Sequence, residues 1–193
     1  MSREERTTIS DPNLMRALAH PIRILLLEVL GVEGPLTATR CGELVGQSAS
    51  LCSFHLRQLA KYGLVEEAEG GAGRERPWQL TSLHQRIDEV PEDEEGSAAT
   101  AALMRAFFER EFSRMMSYAD ATTEEPKEWR DVAFFMGTLT WVTPEELDRF
   151  AKEMEALISE RFGGRRDDPS LRPEGSRPVR VFASGYPITR WDR

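Results

Sequence analysis

Two short helical patterns separated by a very short turn constrain the fold of this chain more than any other feature. The first pattern covers about residues 37 to 45 and the second covers residues 48 to 62, with Gly46 and Gln47 between them. Ser48 can cap the second helix, because a serine side chain at that position accepts a hydrogen bond from a free backbone N–H. Helix pairs are common in proteins, but pairs with so short a turn are less common.

Two helices are predicted before this pair and a hairpin after it. Asp11 can cap a first helix that has Pro12 at its first position, and the segment from Pro21 to Leu30 is apolar nearly all round, as expected at the centre of a small domain. After Gly63 the sequence alternates between apolar and polar residues, breaks at a Gly-rich tip, and resumes at 74–81. Helices followed by such a hairpin predict a winged helix-turn-helix at 11–81.

These segments resemble the ArsR-like family of bacterial winged-helix regulators. The resemblance covers roughly residues 11 to 81 and is carried by MRALAHPIRILLLEVL, CGELVGQSASLCSFHLRQLAKYGLV and GGAGRERPWQLT. The second part of the chain, with EWRDVAFFMGTLTWVTPEELDRFAKEMEAL, is similar to the extended C-terminal region of a subset of these regulators common in high-GC bacteria. The resemblance implies a homodimeric transcription factor that binds a palindromic operator in double-stranded DNA and usually represses.

Helix 48–62 and the wing at 69–77 supply the candidate DNA-binding residues. At 3.6 residues per turn, the polar side of the helix lies away from an apolar stripe formed by Leu51, Cys52, Leu56 and Leu59, and it can enter a major groove. The arginines of the wing can reach a phosphate or the minor groove. The candidates are Gln47, Ser48, Ala49, Ser50, Ser53, Phe54, His55, Arg57, Gln58, Lys61, Arg74 and Arg76.

His55 has two interpretations at this point. It resembles a helix histidine of the family that contacts backbone phosphate, and it is equally consistent with a partly buried histidine bonded to main chain. Trp78 is expected to pack the hairpin on the helices rather than to stack on bases.

The charge balance limits DNA binding without excluding it. The chain carries 25 Lys and Arg against 33 Asp and Glu, a net charge of -8, so bulk electrostatics does not attract it to nucleic acid. Residues 37–62 nevertheless carry Arg40, Arg57 and Lys61 against Glu43, a local balance of +2. The alternative is a winged-helix module that binds another protein and no DNA, which the acidic composition favours.

Beyond a linker at 82–98, residues 99–193 are predicted to form a C-terminal α/β region, which makes the whole chain α+β. A helix at 99–119 has an apolar surface too wide for one small domain to bury. We expect a partner chain to bury it in a dimer interface, and packing within the same domain is the alternative. The candidate dimer-interface residues are Leu103, Met104, Phe107, Phe108, Phe112 and Met115.

The rest of this region is expected to contain a strand at 131–142, a helix that begins with a capping box at Thr143, and a closing strand within 179–188. Its apolar residues could form a plain core or a pocket for an apolar small-molecule effector. The residues concerned are Phe134, Phe135, Met136, Trp141, Phe150, Met154 and Phe182.

A metal site, a cofactor and catalysis find no support in the sequence. Metal-sensing members of the resembled family carry a Cys-x-Cys pair where this chain has Thr37 and Thr39, and hydroxyls are poor substitutes for soft thiolates. Cys41 and Cys52 are expected to be reduced, packed thiols. No phosphate loop or nucleophile elbow is present, so the chain is not expected to be an enzyme.

The chain is also expected to be cytoplasmic, without contact to a membrane. No run of 18 apolar residues is present, and the N-terminal sequence is polar.

Overall fold

Short helices open the chain and carry most of its buried apolar residues. The structure is a computed structural model that describes residues 7–8, 11–69, 76–81, 85–86, 93–165 and 168–188. It divides into unit 1, residues 1–119, and unit 2, residues 120–193. In unit 1 a short strand β1 (Thr7–Thr8) precedes helices α1 (Pro12–Leu18), α2 (Pro21–Glu33), α3 (Ala38–Val45) and α4 (Ala49–Lys61).

Local hydrogen bonds explain where these helices begin. The Asp11 carboxylate accepts from the backbone N–H of Asn13 at 2.8 Å, and Pro12 follows at the first helical position. The Ser48 hydroxyl accepts from the backbone N–H of Leu51 at 3.3 Å. Both caps confirm the sequence-based predictions, because they depend only on residues next to one another in the chain.

A two-stranded hairpin completes the predicted winged helix. Strand β2 (Val65–Glu67) pairs antiparallel with β3 (Trp78–Leu80), with Val65 opposite Leu80. Trp78 also exchanges backbone hydrogen bonds of 2.7 and 3.0 Å with Leu36, which ties the hairpin to the segment before α3. Trp78 is buried in the core, as predicted. A short parallel pairing joins β1 to β4 (Gln85–Arg86).

The core of unit 1 lies between these helices, the hairpin and the start of a long helix α5 (Glu94–Ala121). The first turn of α5 is fixed by the Asp93 carboxylate, which accepts from the backbone N–H of Gly96 at 2.6 Å. The predicted linker at 82–98 therefore overlaps the helix. Leu103, predicted at a dimer interface, is instead buried in the core of its own unit, because α5 packs on the winged helix.

Unit 2 contains α6 (Lys127–Val132) and α7 (Pro144–Phe162), with 3-10 turns at 122–124 and 169–171. The capping box at Thr143 is confirmed: its hydroxyl accepts from the backbone N–H of Glu146 at 3.2 Å, and the Glu146 carboxylate accepts from the backbone N–H of Thr143 at 2.8 Å. Together with unit 1, these helices make the chain an α+β protein.

The two strands predicted in this region are wrong. Residues 131–132 end α6, and the described residues of 133–142 and 177–188 have no strand pairing. Aromatic and β-branched residues favour an extended backbone, but a strand also needs a hydrogen-bonded neighbour, and the described part of unit 2 supplies none.

The predicted core or effector pocket of unit 2 is absent from the residues described. Met136 and Trp141 are 86% and 91% exposed, and Phe134, Phe135 and Phe150 are exposed as well. The prediction depended on their apolar composition, but burial requires a second layer of structure, which the described residues of unit 2 do not provide.

No helix in the described part of the chain combines the length and apolarity needed to cross a membrane.

Candidate nucleic-acid interface

The turn between α3 and α4 is held tight by a glycine that the sequence analysis overlooked. A Cβ added to Gly42 would lie 2.6 Å from the carbonyl oxygen of Gln47 and 3.3 Å from the backbone nitrogen of Ala49. Gly46 ends α3 in the left-handed conformation, with φ of 68°. A glycine inside a helical pattern is the signal that could have identified this close approach.

Helix α4 presents one buried side and one exposed side. Cys52, Leu56 and Leu59 are fully buried, as the predicted apolar stripe requires. The assignment of Leu51 to the same stripe is wrong, because this side chain is 38% exposed. Its position lies about 100° from Cys52 around the helix, which turns its side chain towards the polar side.

The exposed side of α4 contains most of the residues predicted to contact DNA. Ser50, Phe54, Arg57 and Lys61 are exposed, while Ala49, Ser53 and Gln58 are partly buried. Ser50, Phe54, Arg57 and Lys61 follow one another at intervals of three or four residues, so they form one row along the helix. We call this row, together with Leu51, the α4 face.

The α4 face has no negative charge of its own. Residues 47 to 61 contain Arg57 and Lys61 and no Asp or Glu. The neighbouring Arg40 of α3 is paired with Glu43 at 2.6 Å, so its positive charge is balanced. The charges of Arg57 and Lys61 have no such acidic neighbour within residues 47 to 61. The Arg57 Nε donates to the carbonyl oxygen of Ser53 at 3.2 Å, so this side chain lies along the helix.

Gln47 and Ser48 are exposed at the N-terminal end of α4. The Ser48 hydroxyl, besides capping the helix, lies 3.1 Å from the hydroxyl of Ser50. These polar groups surround a helix N-terminus, where free backbone N–H groups favour an anion.

His55 does not belong to the exposed surface. It is only 5% exposed, its Nδ1 accepts from the Arg23 Nε at 3.3 Å, and its ring lies 4.5 Å from the His20 ring between centroids. Burial, together with the charges of His20 and Arg23, lowers the pKa of His55. The side chain is therefore neutral at pH 7. The sequence suggested either a contact to a DNA phosphate or a hydrogen bond to main chain, whereas the structure shows a buried ring bonded to the Arg23 side chain.

The wing contributes one described arginine. Arg76 is exposed and its guanidinium lies 3.3 Å from the Glu67 carboxylate across the hairpin. Arg74 and the Gly-rich tip lie outside the described residues. A phosphate approaching Arg76 must therefore compete with a carboxylate, although an exposed pair of this kind is worth little.

Helix α5 carries an exposed apolar row on one side and charged contacts on another. Met104, Phe108, Phe112, Met115 and Met116 form the exposed row, which we call the α5 row, and Phe107 is partly buried. On another side, Arg110 and Arg114 lie 3.1 and 2.6 Å from the Glu28 carboxylate, and Arg114 also pairs with the buried Glu111 at 3.2 Å. These ion pairs fix α5 against α2.

A cleft of about 370 Å³ opens next to these ion pairs. It is lined by α2, α3 and α5, through Leu25, Glu28, Val29, Val32, Glu33, Leu44, Val45, Arg110 and Arg114. Its apolar residues all come from α2 and α3. Its two arginines come from α5 and are already paired with Glu28.

Cys41 and Cys52 are free and buried, as predicted. Burial, with the neighbouring Cys52, raises the pKa of the Cys41 thiol to about 11, so it is protonated and unreactive at pH 7. Among the residues that the structure describes, no three His, Cys, Asp or Glu side chains are grouped so that they could hold a metal ion.

Comparison with known proteins gives no family assignment. No family model matches the sequence, and no curated protein matches it. Among solved structures, a MarR-family regulator from Neisseria meningitidis is 26% identical, with 72% of this chain and 78% of that chain covered and a TM-score of 0.33.

Two further solved structures are similar at lower identity. The PcaV transcriptional regulator from Streptomyces coelicolor, in complex with its natural ligand, is 16% identical over 71% of this chain and 72% of that one, with a TM-score of 0.31. ZitR from Lactococcus lactis in complex with DNA is 16% identical over 75% and 73%, with a TM-score of 0.29. Scores this low decide neither family nor function, and the ArsR-like resemblance stays a prediction.

Proposed function

We propose that this protein is a DNA-binding transcriptional regulator of the winged-helix type. The observation that carries the proposal is the α4 face, an exposed, cationic and carboxylate-free helix surface on a chain of net charge -8. Such a helix, placed second in a tightly turned pair, has the shape and charge to enter a major groove. The wing at 69–77, through Arg74 and Arg76, would contact the adjacent phosphates or minor groove.

The proposed regulator acts as a homodimer on a palindromic operator. The α5 row offers a partner chain a continuous apolar surface, with Phe112 62% exposed. A dimer through this row must hold two α4 helices about 34 to 36 Å apart, one turn of DNA, for them to enter successive major grooves. Bound at a promoter, such a dimer excludes polymerase and represses, and a cytoplasmic location is part of this proposal.

An apolar small-molecule effector remains part of the proposal, at a different place from the one predicted. The cleft between α2, α3 and α5 is the concave surface that supports it, since ligand sites are concave and mainly apolar. An effector there would release DNA only by binding the DNA-free conformation more tightly.

Selection from a random duplex pool tests the proposed function. The full-length protein is incubated with the pool at about 150 mM salt, where weak non-specific contacts are suppressed. We expect enrichment of a palindrome whose half-sites are about one helical turn apart. Enrichment of no sequence, in the presence of a folded dimer, would contradict operator binding.

A protein-interaction module is the second candidate function. Leu51 and Phe54 favour it, because they place exposed apolar area on the α4 face, and so does the acidic composition. The two functions differ in salt dependence: DNA binding weakens steeply as salt rises, whereas binding to an apolar protein surface does not.

A further inference from the structure

The middle of the α4 face is apolar. Leu51 and Phe54 are 38% and 49% exposed, while the side chains on the opposite side of the helix are fully buried. The Phe54 ring makes an edge contact to His55 of the same helix, at 5.1 Å between centroids. With 3.6 residues per turn, Ser50, Arg57 and Lys61 all lie within about 60° of Phe54 around the helix axis. All three lie on one side of Phe54, and Leu51 lies about 60° from it on the other side, so the apolar pair has a polar, cationic flank along one edge.

This combination restricts what can cover the patch. The chain has 33 acidic residues, yet none lies between residues 47 and 61. A complementary surface is therefore negatively charged where it meets Arg57 and Lys61, and it offers small apolar groups beside that charge to Phe54 and Leu51. The major groove of B-DNA has this character wherever thymine occurs, since the 5-methyl group of thymine projects into a groove bordered by phosphates.

Phe54 and Leu51 contribute no hydrogen bond to DNA. Neither side chain has a polar atom, so neither can hydrogen bond to a phosphate or to a base edge. The phosphate contacts of the face must come from Arg57, Lys61 and the helix N-terminus at Ser48.

We propose that Phe54, with Leu51 beside it, recognises thymine 5-methyl groups in the major groove. Each operator half-site then contains thymine at the base steps that face the middle of α4. This inference rests on the proposed function, and it names the base chemistry that the DNA-binding helix selects. These two side chains distinguish thymine from other bases through its 5-methyl group alone, without contact to the hydrogen-bonding groups of the base.

Replacing thymidine by deoxyuridine isolates this contact, because uracil lacks the 5-methyl group and keeps the same base pairing. The enriched duplex is synthesised with thymine or with uracil at one position of each half-site at a time. Affinity is measured by fluorescence anisotropy at constant salt. At the contacted positions we expect uracil to weaken binding about fourfold per methyl group, or about sixteenfold for both half-sites of the dimer.

The Phe54→Ala variant assigns the effect to its side chain. It should bind the thymine duplex more weakly and lose the difference between thymine and uracil, with only a small fall in Tm because about half of the Phe54 side chain is already exposed. Phe134→Ala, which truncates a phenylalanine that is 68% exposed in unit 2, is the matched control and should keep the full discrimination.

The outcomes separate this inference from the function on which it rests. If the protein selects and binds an operator but accepts uracil at every position without loss, methyl recognition is wrong and DNA binding stands. Methyl recognition is also wrong, and DNA binding stands, if the enriched site contains no thymine. The same conclusion follows if Phe54→Ala distinguishes thymine from uracil as well as the wild type does. If no duplex is enriched, the proposed function fails and methyl recognition fails with it.

Discussion

Arg57 is the side chain on the α4 face whose DNA contact is easiest to measure. It lies along the helix through its hydrogen bond to the Ser53 carbonyl, and no acidic residue between 47 and 61 opposes its charge. Arg57→Ala should weaken operator binding by roughly tenfold for each half-site, the value of one charge-assisted hydrogen bond, or by about a hundredfold for the dimer. If its partner is a phosphate, the slope of log K against log salt should fall by about 0.9 per protomer.

The control for Arg57 is Arg149→Ala, which removes an exposed cation from α7 in unit 2 and should leave affinity and slope unchanged. Arg74→Ala is expected to behave like Arg57→Ala, from its position at the wing tip in the sequence. Unchanged binding by both Arg57→Ala and Arg74→Ala would contradict the proposed DNA-binding surface.

His55 makes the stability of the protein depend on pH. Its pKa is lowered from an ordinary value of 6.5, first by burial and then by the charges of His20 and Arg23. Below pH 6.5 the unfolded chain therefore binds a proton that the folded chain does not. The free energy of unfolding should fall as pH drops from 7.5 to 5.5, with a slope of at most about 1.4 kcal/mol per pH unit from this group.

Urea unfolding at a series of pH values measures this slope. His55→Gln should remove it, because the amide can still accept from the Arg23 Nε but does not titrate. His84→Gln removes a histidine elsewhere in the sequence and should keep the slope. An unchanged slope in His55→Gln would show that other groups titrate in this range.

Among the secondary-structure elements, the α3–α4 turn depends on one glycine. Because a Cβ at Gly42 would meet the Gln47 carbonyl oxygen at 2.6 Å, Gly42→Ala must push the two helices apart. The strain should exceed the helix propensity that alanine adds, about 1 kcal/mol, and lower the free energy of unfolding by about 1–3 kcal/mol. Operator binding should weaken as well, since α4 is displaced.

Gly137→Ala is the matched control, because a Cβ at Gly137 would meet nothing within 4 Å. Its effect on urea unfolding should stay within about 0.5 kcal/mol. A Gly42→Ala variant as stable as the wild type would mean that the turn can open without cost.

Helices and strands differ in how well the sequence predicted them. The starts of α1, α4 and α7 agree with predictions from Asp11, Ser48 and Thr143, since a helix satisfies its hydrogen bonds within its own segment and its caps are local. The strand predicted at 131–142 depended on composition alone. Strand formation requires a partner from elsewhere in the chain, which composition does not specify.

At the scale of the whole molecule, the α5 row carries the proposed dimer. Phe108 lies in the middle of the row and is 39% exposed, so Phe108→Glu should place a charge at the centre of the interface. A charge that must be desolvated without a partner opposes association. Sedimentation velocity of Phe108→Glu should therefore show a monomer where the wild type shows a dimer.

Ser113→Glu is the control, since Ser113 is exposed on another side of α5, about 140° from Phe108 around the helix. It should remain a dimer. Circular dichroism should show the same helix content in both variants, because neither position belongs to the core. A dimer of Phe108→Glu would exclude the α5 row as the interface.

The sequence by itself determined the winged helix: the helix starts, the hairpin after Gly63, the buried centre of α2 and the cationic character of α4. These features arise from short-range hydrogen bonds and from the periodicity of apolar residues, which act within a few residues of each other. Only the tertiary structure decided that His55 and Leu103 are buried, that Leu51 is exposed, and that the apolar segments in the described part of unit 2 form no sheet. Burial and strand pairing depend on which distant residues come into contact, and a linear pattern does not contain that information.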